Sequence, residues 1–305
     1  MFDCHADLLT FIYINRNNLR KIKDVCKNLY NKNNITGAIF NLFFMSEKEM
    51  EEELGINKGE IDVINMLKIV DCILKENDIL PKNMKYFYGI EGLDYLKNIS
   101  DIDILYDLGV RSTTITWNNE NKFGGGIKSD SRLSTIGAQL VEKLIEKNIK
   151  IDLSHANEKT FFDIVNKCNE LKNKGYKPKI FVSHSNLKSV CSNIRNISDE
   201  QANIIRKFGG IIGLVEYKKF ISSDDNYEEK FIEHIKHLKE LFGDVKNIAL
   251  STDDEIFYNK KLEKSNLYNS VEVCEKIKRL LLDNGFKLKE VNAILYENAY
   301  RFLYK

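Results

Sequence analysis

The sequence predicts an α/β fold, a (β/α)8 TIM barrel, and two observations carry this prediction. Short runs of β-branched and aromatic residues alternate with longer segments of helical periodicity, which is typical of parallel βαβ units. Eight such runs fit into 305 residues with no Pro/Gly/Ser-rich linker between them. This favours a single barrel domain spanning 1–305 over two doubly wound domains.

The predicted strands follow one another along the whole chain. They are the opening segment Met1–His5 and the runs at 36–44, 86–91, 111–117, 150–155, 179–184, 210–216 and 247–253. Apolar residues recur at helical spacing between most of the strands, at 135–148, 159–172, 199–208, 228–242 and 270–283. The acidic segment 46–57 is expected to be the solvated start of a helix or an insertion.

Composition excludes several classes of protein. The chain has 46 Lys+Arg against 45 Asp+Glu, so its net charge of +1 gives no basic field that would attract nucleic acid. No run approaches the ~18 apolar residues of a membrane span. The six scattered Cys, with no CxxC spacing, are typical of reduced thiols, and the N-terminus lacks the basic region of a signal peptide. We therefore expect a cytoplasmic protein.

Ionisable side chains stand at the ends of five predicted strands. They are His5 and Asp7 after the first strand, Glu91 after the third, His155 after the fifth, His184 after the sixth and Asp253 after the eighth. The carboxyl ends of barrel strands form one rim, where active sites lie, so these side chains are expected to converge. Imidazoles and carboxylates are the mixed ligand set that suits Zn²⁺. The sequence thus predicts a metal site, dinuclear if Glu91 bridges, with Asp253 as a carboxylate that can carry a proton.

Side-chain alternation argues against a serine hydrolase. Ser-His pairs occur at 154–155 and 183–184, but adjacent strand residues point to opposite faces, so the first serine cannot be activated by its neighbour. The same alternation predicts that His5 and Asp7 face the barrel lumen while Cys4 faces the helices.

Two other features are expected to be structural. His234 and His237 lie in the helix-period segment before the last strand, where packing or hydrogen bonding is expected rather than metal binding. The run Gly124–Gly126 lacks the spacing of a phosphate-binding loop and is expected to be a flexible loop.

Several ordered motifs cover nearly the whole chain: DCHADLL at 3–9, YGIEG at 88–92, LSTIG followed by KIDLSH at 133–155, VSHSNLKSVCSNIRNISDEQ at 182–201 and ENAYRFL at 297–303. Together they resemble the membrane (renal) dipeptidase family of zinc peptidases, family M19, a branch of the amidohydrolase-like barrels. The resemblance implies a barrel of the metal-dependent hydrolase type with a dinuclear zinc site. One ion would be held by His5, Asp7 and Glu91, and the other by Glu91, His155 and His184.

The resemblance also implies hydrolysis of dipeptides by a hydroxide that bridges the two zinc ions. Glu91 and Asp253 would be the catalytic carboxylates, with Asp253 as proton shuttle. Arg195 matches the family arginine that grips the substrate's terminal carboxylate, a task that suits the guanidinium fork. Trp117 and Asn118 are expected to line the substrate site. Members of the family are often dimers, so a homodimer is an expectation of the resemblance alone.

This chain departs from the family at two places. Trp117 stands where mammalian members have a histidine that stabilises the tetrahedral intermediate, and an indole can donate one hydrogen bond but carries no charge. The loop after the last strand reads STDDEIF instead of SDFDG. These departures keep two alternatives open. One is a metal-dependent amidohydrolase acting on another amide, a lactone or a cyclic substrate, and the other is a catalytically weak binding homologue.

Overall fold

Eight parallel strands form the barrel that the sequence predicts. A computed structural model describes residues 1–31, 34–44, 47–57, 61–253 and 273–304 of the chain. The strands are β1 Phe2–Ala6, β2 Gly37–Phe43, β3 Lys85–Glu91, β4 Val110–Thr114, β5 Lys150–Asp152, β6 Ile180–Phe181, β7 Ile212–Val215 and β8 Ile248–Ser251. They pair in the order β6-β5-β4-β3-β2-β1-β8-β7, so the first strand lies between the second and the last.

The barrel closes at a short seam between β6 and β7. Among the described residues, the two strands share the single bridge between Val182 and Ile212. The Gly213 N–H donates to Val182 O at 2.7 Å, and the Ser185 N–H donates to Gly213 O at 3.1 Å. A Cβ on Gly213 would overlap the Ser183 carbonyl, so only glycine allows the two segments to approach this closely.

Helices surround the strands and follow the predicted periodicity. They are α1 Leu8–Ile14, α2 Leu19–Cys26, α3 Glu47–Leu54, α4 Val63–Glu76, α5 Asp101–Asp107, α6 Thr135–Glu146, α7 Glu158–Asn173, α8 Asp199–Lys207, α9 Lys218–Ile221, α10 Tyr227–Phe242, α11 Val273–Asp283, α12 Leu288–Asn292 and α13 Asn298–Tyr304, with π-helical turns at Lys27–Asn31 and Ala293–Glu297. The acidic segment contributes α3, and the first residues of the predicted helix 270–283 lie outside the described ranges. No helix in the described ranges is long and apolar enough to cross a membrane.

Capping residues fix where helices begin near the rim. Asn157 accepts from the Thr160 N–H at 2.8 Å and starts α7 immediately after His155. Ser198 forms a capping box with Gln201 at the start of α8. Because each cap satisfies an N–H group that has no partner within the helix, the loops that lead from β5 and β6 are held in place.

The barrel interior corrects the expectation for Cys4. A cluster of fully buried side chains joins Phe2, Cys4 and Ile39 to Phe181 and Ala249, residues of four different strands. Such a cluster lies in the lumen, so Cys4 faces inward rather than toward the helices. The pairing of β1 with β2 shifts register between Asp3 and Ala6. This irregularity breaks the strict alternation, and Cys4 and His5 both reach the lumen.

Candidate metal centre

Five ligand-type side chains meet at the carboxyl ends of the strands. His5 lies within β1, Asp7 follows that strand directly, and Glu91 is the last residue of β3. His155 and His184 each lie three residues beyond the end of their strand. None of the five side chains is more than 4% exposed.

Glu91 is at the centre of this group. Its Oε2 lies 3.0 Å from His5 Nε2, and its Oε1 lies 2.6 Å from His155 Nε2 and 3.6 Å from His184 Nε2. Asp7 Oδ1 lies 3.4 Å from His5 Nε2. Two triads share Glu91, His5–Asp7–Glu91 and Glu91–His155–His184, and Asp253 forms a third, less buried group with His5 and His184. Within each triad the ligand atoms lie within 4.8 Å of one another.

The electrostatics of the group fit a bound cation. Burial, followed by the charge of Glu91, raises the pKa of Asp7 to about 8. Burial also disfavours a charged His5, but Glu91 and Asp7 outweigh it and hold the pKa of His5 well above its usual value. Burial lowers the pKa of both His155 and His184. Carboxylates this close resist ionising together, and a divalent cation would relieve that repulsion.

Asp7 gives a second, separate indication that the site fits a metal ion. Its Oδ1 is buried and has no hydrogen-bond partner in the described part of the chain. A buried polar oxygen without a partner is costly, whereas a metal ligand must keep a lone pair available. The nitrogen and oxygen donors therefore fit a divalent metal.

A second layer of polar side chains lies directly behind the imidazoles, and the sequence patterns did not point to it. Asp152 Oδ1 accepts hydrogen bonds from the Ser154 N–H, the Ser154 hydroxyl and the Ser183 N–H. The Ser183 hydroxyl lies 2.6 Å from His184 Nδ1 and 3.1 Å from His5 Nδ1. The contacts of Ser183 with Asp152 and with His5 join residues 31 and 178 positions apart in sequence, so no local pattern could reveal them.

The alternation of side chains along a strand does not extend to the two Ser-His pairs. β5 ends at Asp152 and β6 ends at Phe181, so both pairs lie beyond the strands, where side chains no longer alternate strictly. Ser183 therefore contacts the histidine that follows it. Its hydroxyl also hydrogen-bonds to Asp152 Oδ2 and is buried, so it is not arranged as an activated nucleophile.

Arg195 lies beside the second triad. Its guanidinium donates to the Ser154 carbonyl, lies 2.9 Å from His155 Nε2 and stacks over the Phe220 ring at 5.4 Å. The side chain is buried at the wall of a cavity of about 490 Å³. A fixed cation at such a wall can bind a carboxylate through two parallel hydrogen bonds.

Trp117 and Asn118 also line this cavity. The Trp117 ring packs edge-on against Phe43 with centroids 5.2 Å apart. Asn118 Oδ1 lies 3.1 Å from His155 Nδ1, so Asn118 orients an imidazole as well as facing the cavity. The expected flexible loop at 124–126 is buried, and a Cβ on Gly126 would overlap the Trp117 carbonyl oxygen.

Asp253 lies at the cavity with its Oδ1 4.0 Å from His5 Nε2. Its backbone adopts a φ of 47°, a conformation that aspartate and asparagine tolerate better than most residues. The preceding Thr252 is anchored by Asp3, whose carboxylate accepts from the Thr252 N–H at 2.8 Å and from its hydroxyl at 2.5 Å. The rest of the unusual STDDEIF segment lies outside the described residues.

The other two histidines lie in α10, away from the rim. His234 is fully buried, accepts from the Leu187 N–H through Nδ1 at 3.2 Å and donates to the Ile221 carbonyl through Nε2 at 3.0 Å. His237 Nε2 lies 2.9 Å from Asp199 Oδ2. Both side chains pack and hydrogen-bond as the sequence predicts.

The fold and these side chains define a (β/α)8 barrel with a candidate metal centre at its catalytic rim. The chain belongs to the family described as membrane dipeptidase, peptidase family M19, whose profile matches residues 1–305. Membership of this metallopeptidase family implies dependence on a metal.

Curated relatives match parts of the chain. An uncharacterized dipeptidase of Schizosaccharomyces pombe is 28% identical over 233 residues, which are 73% of this chain and 54% of the relative. An uncharacterized Klebsiella pneumoniae protein from the pqqA 5′ region is 28% identical over 166 residues, covering 50% of this chain and 58% of the relative. The matches thus span little more than half the length of these relatives.

Solved structures share the fold over almost the whole chain. A metallopeptidase of family M19 called dipeptidase AC superposes with a TM-score of 0.79 at 18% identity, covering 99% of this chain and 97% of the other. A Rhodobacter sphaeroides metallopeptidase, solved with a phosphinate mimic of the dipeptide L-Ala-D-Ala, superposes with a TM-score of 0.77 at 17% identity and the same coverage. The predicted barrel is therefore confirmed, as the profile match confirms the predicted family.

Proposed function

We propose that this protein is a zinc-dependent dipeptidase. The observation that carries the proposal is the convergence of three imidazole Nε2 atoms on the Glu91 carboxylate, beside a cavity whose wall holds Arg195. Membership of family M19 supports the reaction class. The dipeptide mimic bound by the Rhodobacter sphaeroides structure supports the substrate class.

We propose two zinc ions, one for each triad. His5 and Asp7 would hold the first ion, His155 and His184 the second, and Glu91 both. Zinc suits this mixture of imidazole and carboxylate donors. When bound, zinc polarises a carbonyl and lowers the pKa of a coordinated water to near 7, which makes hydroxide available at neutral pH.

Arg195 would bind the free carboxylate of the substrate. It is a buried cation at the cavity wall, stacked on Phe220, so its planar fork is held before substrate arrives. Anchoring the carboxylate there places the adjacent peptide bond next to the metal ligands. This geometry selects short peptides, because each further residue would move the carboxylate away from the scissile bond.

Asp253 would handle the proton. Its carboxylate borders the cavity near His5 and can accept a proton and deliver it to the leaving amine. Trp117 and Asn118 would form the opposite wall. There the indole packs against the substrate, and it has at most one hydrogen bond to offer a developing oxyanion.

We also propose a cytoplasmic location. The six cysteines all lie in described ranges and form no disulfide, and only Cys72 is exposed. Unpaired thiols in this number are typical of a reducing compartment.

Metal-dependent hydrolysis tests the function directly. Purified protein is stripped with a chelator, reloaded with Zn²⁺ and incubated with dipeptides, the matching dipeptide amides, tripeptides and a lactone. We expect amino acid release from dipeptides alone, lost on stripping and restored by zinc. Release that is equal in stripped and reloaded protein would refute the proposal.

A catalytically silent variant controls for contaminating peptidases. Asp253→Asn, prepared in parallel, is expected to bind zinc without releasing amino acids. Zinc-loaded wild type that binds dipeptides but never cleaves them would identify a binding homologue instead, and cleavage of the lactone alone would identify a different amidohydrolase.

A further inference from the structure

One buried hydroxyl contacts an imidazole of each triad. Ser183 Oγ lies 2.6 Å from His184 Nδ1 and 3.1 Å from His5 Nδ1, and it also contacts Asp152 Oδ2. The Ser183 side chain is 1% exposed, so water cannot readily replace these contacts. One imidazole lies in β1 and the other follows β6, and Ser183 is the polar group that their Nδ1 atoms share.

The hydrogen-bonding capacity of the hydroxyl decides how the protons are arranged. A serine hydroxyl has one proton to donate and two lone pairs that accept. Asp152 is a carboxylate acceptor with its Oδ2 facing Ser183, and its Oδ1 already takes three donors from Ser154 and Ser183. The single Ser183 proton is therefore donated to Asp152, in a charge-assisted bond.

Both neighbouring nitrogens must then be donors. The Nδ1–H groups of His5 and His184 donate to the two lone pairs of Ser183 Oγ, which places the metal-binding position of each ring at Nε2. The distances agree, because His5 Nε2 and His184 Nε2 face Glu91 at 3.0 and 3.6 Å. Ring orientation and tautomer are thus set by the same contact.

We propose that Ser183 is a positioning residue that holds one histidine ligand of each metal triad, with Asp152 as the acceptor that orients its hydroxyl. The proposal rests on the metal-dependent function proposed above. His155 is not part of this arrangement, because its Nδ1 lies 3.1 Å from a separate partner, Asn118 Oδ1. Loss of the Ser183 hydroxyl should therefore weaken both metal sites, although the residue touches neither ion.

Zinc affinity of the stripped protein measures this role without reference to catalysis. Stripped wild type and Ser183→Ala are titrated with Zn²⁺ against a chromophoric chelator, which resolves the first and second binding steps. Removing a hydrogen-bond partner behind a metal ligand typically costs about 10–100-fold in metal affinity. We expect both steps to weaken by that factor in Ser183→Ala.

Ser222→Ala is the control. For this control the serine is Ser222 rather than Ser154, because the Ser154 hydroxyl accepts from the His184 backbone N–H. Ser222 is also buried, and its hydroxyl contacts Asn226 Oδ1 at 3.3 Å and accepts from the Asp224 N–H at 2.9 Å rather than contacting an imidazole nitrogen. Both of its zinc affinities should stay within about threefold of wild type. The chain has five histidines, few enough for their imidazole ¹⁵N signals to be resolved. These spectra should show that His5 and His184 lose their fixed Nδ1–H form only in the Ser183 variant.

A pair of similarly shaped variants keeps the test decisive if Ser183→Ala does not fold. Ser183→Thr retains the hydroxyl and should bind zinc within about threefold of wild type, whereas Ser183→Val should lose 10–100-fold in both steps. Wild-type affinity in Ser183→Ala or Ser183→Val would overturn the proposal, and so would weakening of one step alone. Absence of zinc binding by wild type would instead refute the proposed function.

Discussion

The Nε2 atoms of His155 and His184 lie 2.8 Å apart. Each ring places its Nδ1 against another polar group, Asn118 Oδ1 for His155 and Ser183 Oγ for His184. When both Nδ1 atoms are donors, two Nε2 lone pairs face each other. Such lone pairs repel, and a cation bound by both nitrogens converts the repulsion into coordination.

Zinc should therefore stabilise the stripped protein. At a free zinc concentration 100 times the dissociation constant, binding at one site contributes about 2.7 kcal/mol and raises the melting temperature of a chain this long by roughly 4 °C. Glu91→Gln, which keeps the size of the side chain and removes the charge shared by the triads, should abolish most of this shift. Calorimetry with metal analysis measures it, with Asp7→Asn as the comparison that alters one triad. A Glu91→Gln protein that still binds two zinc ions would contradict the bridging role.

Arg195→Met should impair recognition of the substrate carboxylate. Loss of a buried, charge-assisted contact costs about 1.5–3 kcal/mol, so kcat/KM for dipeptides should fall roughly 10–150-fold, mainly through KM. The matching dipeptide amides should be affected far less, because they lack the charge. Lys219→Met removes an exposed cation from the same cavity and serves as the control. Equal losses for dipeptide and amide would show that Arg195 does not bind the carboxylate.

Asp253→Asn should remove proton transfer while keeping the site intact. Asparagine tolerates the φ of 47° at this position, so the backbone is not strained as it would be by most residues. We expect kcat to fall about 10²–10⁴-fold with zinc content unchanged. Steady-state kinetics and metal analysis check the two expectations separately, and retained turnover would exclude Asp253 as proton shuttle.

His234 should make the fold sensitive to acid. Burial lowers its pKa from the usual 6.5 to about 4, so the folded protein keeps the ring neutral where the unfolded chain binds a proton. Stability is therefore complete above pH 6.5 and falls as the pH drops toward 4, by roughly 2 kcal/mol at pH 5. Urea unfolding of stripped protein between pH 7.5 and 5 measures the loss.

His234→Gln should be less stable at neutral pH but have a flatter pH dependence than wild type. His237→Gln removes the other imidazole of α10, from a partly exposed position, and serves as the comparison variant. If the His234→Gln slope matches that of wild type, the acid sensitivity arises elsewhere.

The sequence predicted the elements whose signals are local. Each strand is a short run of β-branched and aromatic residues, and a barrel brings the residues after such runs to one rim. His5, Glu91 and His184 could therefore be grouped before any contact was known. The irregularity in β1 was not predictable, because register depends on the partner strand, and it reversed the expectation for Cys4.

The polar layer behind the ligands could not be predicted for a different reason. Ser183 contacts His5 across 178 positions of sequence, and Asn118 contacts His155 across 37. Serine and asparagine are common residues whose roles depend on which nitrogen they face. Only the assembled barrel shows that these two side chains present all three imidazoles in the same way.

The seam between β6 and β7 has a consequence for how much change the metal centre tolerates. At Gly213 the backbone of β7 meets the Ser183 carbonyl with no side chain between them, and Ser183 directly precedes His184. The contact between the main chains at Gly213 and Ser183 thus fixes the position of His184. A single methyl group at Gly213 would overlap the Ser183 carbonyl and so displace His184, one of the proposed zinc ligands.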